Sequence, residues 1–166
     1  MSNKSPEKYT VLILCTGNSA RSIMVEALFN TIGSEHFKAV SAGSHATGKV
    51  NPFALEQINH LELDFEPSSK SWDVFAGKQL DFVITVCGNA AQEICPCFAG
   101  KPKHIHWGEP DPAAVEGTDK DKQQAFSDCF NLFDSRIKKL MDRLKDVDQG
   151  VELNNVTKTM LALANT

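Results

Sequence analysis

The chain has 166 residues, of which 42% are hydrophobic and 23% charged, and its formal net charge is −4 at pH 7. This composition is typical of one soluble globular domain with a substantial core. The negative charge argues against nucleic acid or an anionic membrane surface as the main partner. No apolar stretch approaches the roughly 20 residues of a membrane span, and residues 1–8 lack the apolar core of a signal peptide. We therefore expect a cytoplasmic protein with neither a membrane nor a nucleic-acid partner.

Hydrophobic patterning predicts strands that alternate with helices along most of the chain. Apolar runs indicate strands over residues 9–14, 38–42, 81–86 and 103–106. Helical patterns cover residues 22–32 (amphipathic), 52–61, 69–75 (capped by Ser71) and 119–144, and residues 107–118 form a loop. This alternation predicts an α/β fold with a parallel sheet wrapped by helices, in which ligands bind at the carboxyl ends of the strands. Residues 147–166 are an appendage to the domain 1–146, with a pattern that fits either a docked helix or a frayed tail.

The most informative motif lies where the first predicted strand ends. There Cys15 is followed by a loop of small residues, and Arg21 stands six positions later at the start of a helix. Loop N–H groups and a helix N-terminus that converge on one point bind a phosphate-type oxyanion, and Arg21 adds a planar fork for two oxygens. We expect the same field to lower the pKa of Cys15, which would be the nucleophile. The cradle comprises Thr16, Gly17, Asn18, Ser19, Ala20, Arg21 and Ser22, in which Gly17 and Asn18 suit a tight or left-handed backbone. The alternative is a core cysteine, a turn and a solvated arginine.

A carboxylate in the loop at 107–118 could complete this chemistry. If the loop folds over the cradle, Asp111 could protonate a leaving oxygen as a general acid. Glu109 is the fallback, since Pro110 separates it from the turn. The alternative is that Asp111 only caps a proline-framed turn.

The chain has five cysteines, an odd number, and three of them fall within eleven residues. A cytoplasmic compartment keeps thiols reduced, so we expect catalysis, redox chemistry or metal binding rather than a structural disulfide framework. Cys87 ends a predicted strand and precedes Cys95 and Cys97. A thiolate there could displace a thiol adduct as a disulfide, which a third thiol could resolve. The alternatives are buried small side chains or a zinc site completed by His104 and His106, whereas Cys129 fits core filling.

Taken together, these motifs resemble those of the arsenate reductases built on the low-molecular-weight protein tyrosine phosphatase fold. The resemblance covers residues 9–144 and rests on five stretches in the family's order: 14–22 (LCTGNSARS), 41–43 (SAG), 86–91 (VCGNAA), 95–96 (CP) and 106–112 (HWGEPDP). It implies a four-stranded parallel sheet flanked by helices and the reduction of arsenate to arsenite. By motif, Cys15 would be the nucleophile, Asn18 and Ser22 would shape the loop and stabilise its thiolate, and Arg21 would bind the oxyanion. Asp111 would be the acid, Cys87 the first resolving thiol and Cys95 the second.

The resemblance also implies partners. No tightly bound cofactor is expected, and electrons would come from thioredoxin or from glutathione with glutaredoxin. Arsenate would be the substrate, with phosphate or sulfate as mimics, and the protein is expected to be a monomer. Cys87 and Cys95 are one residue further apart than in the thioredoxin-coupled members, and Cys97 is an extra thiol, so Cys95 and Cys97 both stay open as the final resolving thiol.

Some members hold a potassium ion. The positions that match here are Asn18, Glu26, Ser41 and Asp73. The alternative is that Glu26 is an ordinary residue on the helix surface and does not bind an ion.

Two other functions compete with the reductase. A phosphatase would hydrolyse phosphate monoesters through a phosphocysteine on Cys15 and would not need Cys87 or Cys95. The phosphatase relatives commonly have aromatic residues after Asp-Pro, whereas Ala113 and Ala114 stand here. A zinc- or metalloid-binding module would use the clustered cysteines and leave the cradle without a purpose.

Overall fold

The protein is described from a computed structural model, which covers residues 8–88, 98, 100–145 and 152–164. The predictions for Cys95 and Cys97 lie outside these described residues.

A four-stranded parallel sheet forms the centre of the protein, as predicted. Its strands are β1 (Tyr9–Cys15), β2 (Phe37–Gly43), β3 (Phe82–Thr85) and β4 (Lys103–His106), arranged in the order β2-β1-β3-β4. The central strand β1 reads as a nearly continuous apolar run because both faces of a parallel sheet are covered by helices. Cys15 is its last residue and is paired in register with Gly43, so the candidate loop leaves the sheet at its carboxyl edge.

The described helices are α1 (Arg21–Phe29), α2 (Pro52–Ile58), α3 (Asp119–Lys145) and α4 (Leu153–Ala162), with short 3₁₀ helices at Trp72–Phe75 and Pro112–Ala114. The side chain of Asn51 caps α2, whose first residue is a proline. Ser71 caps the first 3₁₀ helix as predicted. None of the helices in the described ranges is long and apolar enough to cross a membrane.

Helix α1 departs from the sequence prediction in two ways. It ends at Phe29 instead of residue 32, and the chain continues through turns to β2. It is also not amphipathic, because every residue from Ser22 to Phe29 is buried. The reason is that α1 packs against β1 and β2, with α2 and α3 around it. Two of its buried polar residues have partners from other segments: Ser22 Oγ accepts from Asn18 Nδ2, and Glu26 Oε1 accepts from Ser41 Oγ.

The long helix α3 buries the face that the sequence predicts. That face comprises Phe126, Cys129, Phe130, Phe133, Ile137, Leu140 and Leu144. Burial also raises the pKa of Cys129 to about 12, which agrees with a role in core filling. Two further residues of α3 are buried, Met141 and Arg136, and the burial of a charged residue was not expected, since Arg136 is only 2% exposed.

The appendage contains a docked helix rather than a frayed tail. In α4, Val156 and Met160 are fully buried, and so is Leu163 just after it. The helix packs against β4 and α3. The indole Nε1 of Trp107 donates a hydrogen bond of 2.9 Å to the carbonyl oxygen of Met160.

Candidate active site

The loop between β1 and α1 is held by hydrogen bonds to segments distant in sequence. Its Asn18 adopts a left-handed backbone (φ 46°), as its residue type suggested. The buried side chain of Asn18 donates from Nδ2 to Ser22 Oγ at 2.8 Å. Its Oδ1 accepts from the backbone N–H of Lys70 at 2.9 Å. Asn18 therefore fastens the loop both to the start of α1 and to a neighbouring segment.

The carbonyl groups of the loop are bound on its outer side. The backbone N–H groups of His45, Thr47 and Asn51 donate to the carbonyls of residues 16, 17 and 19 at 2.9, 3.0 and 2.8 Å. Within the described part of the chain, the backbone N–H groups of residues 17–22 find no protein acceptor. A loop with its acceptors bound and its donors available is suited to an anion.

Gly43 makes this close approach possible. A Cβ there would lie 2.9 Å from the carbonyl oxygen of Cys15 and 3.0 Å from the backbone nitrogen of Asn18, and closer still to the carbonyl oxygen of Thr16. The motif at 41–43 is one of the stretches that carried the family resemblance, but sequence reasoning gave Gly43 no role in the site. The structure gives it one, since any side chain at residue 43 would press on the cradle.

Arg21 reaches from the first residue of α1 into the cleft. Its Nη1 donates to the carbonyl oxygen of Glu109 at 2.8 Å, and its Nη2 lies 3.7 Å from Asp111 Oδ2. Its buried Nε has no hydrogen-bond partner among the described residues. The arginine is thus held in place at one nitrogen while another remains available, which suits the binding of an oxyanion.

The structure separates the two candidate acids. Asp111 lines the cleft beside Cys15, and its side chain is 43% exposed. It also caps the short 3₁₀ helix by accepting from Ala113 N at 2.9 Å, so the capping and cleft-lining roles coexist. Glu109 points away, and its Oε2 accepts from Arg136 Nη2 at 3.0 Å.

Cys87 lies against the candidate nucleophile at the base of the cleft. Both thiols are buried and line the cleft, and neither forms a disulfide within the described part of the chain. The Cys15 thiol can donate a hydrogen bond to Cys87, and the backbone N–H of Thr16 donates to Cys87 Sγ at 3.4 Å. The bond to Cys87 and burial raise the pKa of Cys15, and they outweigh the opposite effects of Arg21 and the Thr16 N–H. The sequence prediction of a lowered pKa is therefore wrong, because it considered the loop but not the neighbouring thiol.

The cleft has a volume of about 460 Å³. Its lining combines the loop, the second thiol and the carboxylate: Cys15, Thr16, Gly17, Ser19, Ala20, Arg21, Thr47, Cys87, Gly88, Asp111 and Ala113. Of these, Thr47 was missed by sequence reasoning because no local signal connects residue 47 with the loop.

The residues suggested for potassium are only partly brought together. Glu26 is 4% exposed and accepts from Ser41 Oγ at 3.0 Å, so the alternative of a helix-surface Glu26 is wrong. Burial raises its pKa, and the nearby Lys70 ammonium group opposes this rise. Asp73 is exposed and bonded to Ser71 at the start of its own turn. A lysine, which sequence reasoning missed, thus stands near the buried carboxylate, and potassium stays a prediction.

The two histidines considered for zinc lie on the edge strand β4 and are exposed. His106 Nδ1 is 2.7 Å from Thr85 Oγ1. Across the described ranges, His, Cys, Asp and Glu side chains form no group of three that could hold a metal ion.

Comparison with known proteins identifies the class that this fold and loop define. Residues 10–150 match the family described as low molecular weight phosphotyrosine protein phosphatase, and the chain belongs to that family. An arsenate reductase of Halalkalibacterium halodurans is 36% identical over 132 residues, which are 79% of this chain and 94% of that protein.

Two solved structures show the same fold. A low molecular weight phosphotyrosine phosphatase from Vibrio cholerae O395 matches with a TM-score of 0.64 at 21% identity, over 86% of this chain and 99% of that one. A thioredoxin-dependent arsenate reductase of Corynebacterium glutamicum matches with a TM-score of 0.59 at 24% identity, over 84% of this chain and 63% of that one.

Proposed function

We propose that this protein reduces arsenate to arsenite by using Cys15 as the nucleophile and Cys87 as the first resolving thiol, in the service of arsenic detoxification. The observation that carries the proposal is that two buried thiols, Cys15 and Cys87, line the same cleft as Arg21 and the loop that precedes it. Hydrolysis of a phosphate ester would use the cradle but would have no need of a second thiol. The similarity to an arsenate reductase over most of the chain supports the same choice.

In the first step, arsenate occupies the cradle with its oxygens on the loop N–H groups and on Arg21. The raised pKa of Cys15 favours its thiol form, so its proton passes to an arsenate oxygen as the sulfur attacks arsenic. Asp111 protonates the oxygen that leaves as water. The products are a Cys15 arsenic adduct and one water molecule.

In the second step, Cys87 Sγ attacks Cys15 Sγ, and the thiol proton of Cys87 passes to an oxygen of the departing arsenite. The sulfur–arsenic bond breaks and its electron pair stays on arsenic, which leaves as arsenite. The two sulfurs are oxidised to a disulfide, so the reduction of one arsenate consumes two thiols. We propose that a third thiol, Cys95 or Cys97, then attacks Cys87 and carries the oxidation to thioredoxin or to glutathione with glutaredoxin.

Ala113 gives a structural reason to place phosphatase activity second. It lines the cleft next to Asp111, where a bulky aromatic side chain could grip an aryl phosphate. A methyl group provides no such surface. We therefore expect hydrolysis of small phosphate esters only as a side activity.

The decisive experiment compares two reactions in the same variants. Reduced protein is treated with arsenate, and arsenite is measured by chromatography with elemental detection while free thiols are counted. Cys15→Ser should lose both arsenate reduction and hydrolysis of p-nitrophenyl phosphate. Cys87→Ser should lose arsenate reduction and keep the hydrolysis. The control is Cys129→Ala, which removes a buried thiol outside the cleft and should behave like the wild type.

Normal arsenate reduction by Cys87→Ser would refute the intramolecular relay. Repeating the assay with thioredoxin and its reductase, and separately with glutathione and glutaredoxin, identifies the electron donor. Trapping of a disulfide between Cys15 and Cys87 in Cys95→Ser, but not in Cys97→Ser, would assign the last thiol to Cys95.

A further inference from the structure

A second arginine lies behind the cleft, in the core of the protein. Arg136 of α3 is 2% exposed, and its Nη2 donates to Glu109 Oε2 at 3.0 Å. Its guanidinium carbon lies 5.5 Å from the ring centre of Trp107 and 5.6 Å from that of Phe133. A charge in such surroundings is costly unless it is paired, so the ion pair fixes the side chain of Glu109 firmly against α3.

The same Glu109 holds Arg21 through its main chain. Its carbonyl oxygen accepts from Arg21 Nη1 at 2.8 Å, and its N–H donates to the carbonyl oxygen of Val86 at 3.1 Å. Glu109 is thus fixed at three points: to the residue after β3, to α3, and to the arginine of the cleft. Asp111 follows only two residues later, so the position of Glu109 also constrains the loop that carries the candidate acid.

The C-terminal helix α4 supports this arrangement from the far side. The indole N–H of Trp107 is bonded to the carbonyl oxygen of Met160. The Trp107 ring also stacks on Phe29 of α1, with centroids 5.9 Å apart and planes inclined by 15°. Since α4 begins at Leu153, it lies beyond residues 10–150, which the family shares. A helix outside the family's common region therefore contacts the ring on which Arg136 rests.

We propose that Glu109 is a positioning residue for Arg21, and that Arg136 and α4 hold Glu109 in the required place. Arginine has a long side chain with many rotamers, and fixing it before the ligand arrives reduces the entropy lost on binding. If Glu109 loses its ion pair, its carbonyl group is less firmly placed and the Arg21 guanidinium samples other orientations. Oxyanion affinity then falls although Arg21 and the loop are intact. The inference rests on the proposed function only in that Arg21 binds the oxyanion.

The test measures the dissociation constant of inorganic phosphate by calorimetry at 25 °C, together with urea unfolding of each full-length variant. Glu109→Ala keeps the backbone carbonyl but loses the carboxylate, and the phosphate dissociation constant should rise by about tenfold, which corresponds to about 1.4 kcal/mol. Glu109→Gln should recover part of this loss because its amide oxygen can still accept from Arg136. The matched control is Asp134→Ala, which removes an exposed ion pair with Lys138 on the same helix and should leave phosphate affinity unchanged.

A purely structural role would lower the free energy of unfolding without changing phosphate affinity in the folded protein. A folded Glu109→Ala variant with a dissociation constant within twofold of the wild type would therefore overturn the proposal. If Glu109→Ala does not fold, Trp107→Phe provides the second test, since it keeps a ring but loses the hydrogen bond to Met160. It should weaken phosphate binding two- to threefold, and an unchanged affinity would overturn the proposal.

The outcomes also separate this inference from the proposed function. Phosphate binding that depends on Glu109 in a protein without arsenate reduction would refute the function and leave the positioning role standing. Arsenate reduction by a protein whose phosphate affinity does not depend on Glu109 would refute the positioning role and leave the proposed function standing. Absence of phosphate binding in the wild type would overturn the positioning role directly, because Arg21 would then hold no oxyanion.

Discussion

Replacement of Cys87 by alanine is expected to make the Cys15 thiol a stronger acid. The hydrogen bond from the Cys15 thiol to Cys87 is the largest cause of its raised pKa. The variant removes this bond. It also removes Cys87 Sγ as a competing acceptor for the Thr16 N–H, which already lowers the pKa of Cys15. Burial still opposes ionisation, so the pKa should fall without reaching that of an exposed activated cysteine.

The size of the effect follows from the strength of one hydrogen bond. A net contribution of about 0.5–1.5 kcal/mol lowers the pKa by roughly 0.4–1, since one pKa unit corresponds to about 1.4 kcal/mol. Well below the pKa, the thiolate fraction then rises roughly two- to tenfold. A weaker base is also a weaker nucleophile, so the alkylation rate should rise only roughly 1.5- to 4-fold.

The assay is the rate of iodoacetamide alkylation at pH 7.5, followed by peptide mapping so that Cys15 is scored separately from the other thiols. The control is Cys129→Ala, which removes a thiol whose pKa is raised chiefly by burial and which does not line the cleft. Cys15 in that variant should react at the wild-type rate. If Cys15 in Cys87→Ala reacts no faster than in the wild type, the contact between the thiols is not what keeps Cys15 protonated.

Three further predictions concern individual charges. Arg21→Lys keeps the positive charge but loses the planar fork and the bond to the Glu109 carbonyl. Phosphate affinity, measured by calorimetry, and arsenate turnover, measured by steady-state kinetics, should therefore both fall by at least tenfold. Wild-type values would contradict the oxyanion role of Arg21. Asp111→Asn should reduce turnover by roughly 10²–10⁴-fold while phosphate binding changes little, and unchanged turnover would remove Asp111 as the acid. Burial raises the pKa of Glu26 above 4.5 in the folded protein, so the folded state binds this proton more tightly than the unfolded state does. The contribution of Glu26 to the free energy of unfolding therefore falls as pH rises from 4.5 through the raised pKa. Urea unfolding between pH 4.5 and 8 should show that Glu26→Gln flattens this part of the profile, and an unaltered slope would mean that Glu26 titrates normally.

The sequence was most informative where structure is determined locally. The apolar run of β1, the small-residue loop and the arginine that follows are adjacent in the chain, so both the strand end and the cradle could be predicted from them. The alternation of strands and helices gave the parallel sheet because parallel strands require crossover connections. The left-handed conformation of Asn18 was likewise suggested by its residue type.

What the sequence did not reveal depends on contacts between distant segments. Ser22 and Glu26 made α1 look like a surface helix, but their partners Asn18 and Ser41 belong to other segments. The raised pKa of Cys15 depends on Cys87, which is 72 residues away in the chain. The burial of Arg136 could not be foreseen either, because its position on the apolar face of α3 is acceptable only with Glu109 opposite it.

The outward hydrogen bonds of the oxyanion loop link anion binding to folding. Since the carbonyls of residues 16, 17 and 19 are bound by residues 45, 47 and 51, the cradle exists only after β2 and the segment that follows it have assembled. An unfolded chain therefore has no such loop, and if the loop binds phosphate as proposed, we expect phosphate to bind the native state alone. By mass action, phosphate at one hundred times its dissociation constant adds roughly 2.7 kcal/mol to the free energy of unfolding. On the proposed function, phosphate in a cell or in a buffer would therefore have two opposite effects: it would stabilise the fold against heat and proteolysis, and it would compete with arsenate for the cleft.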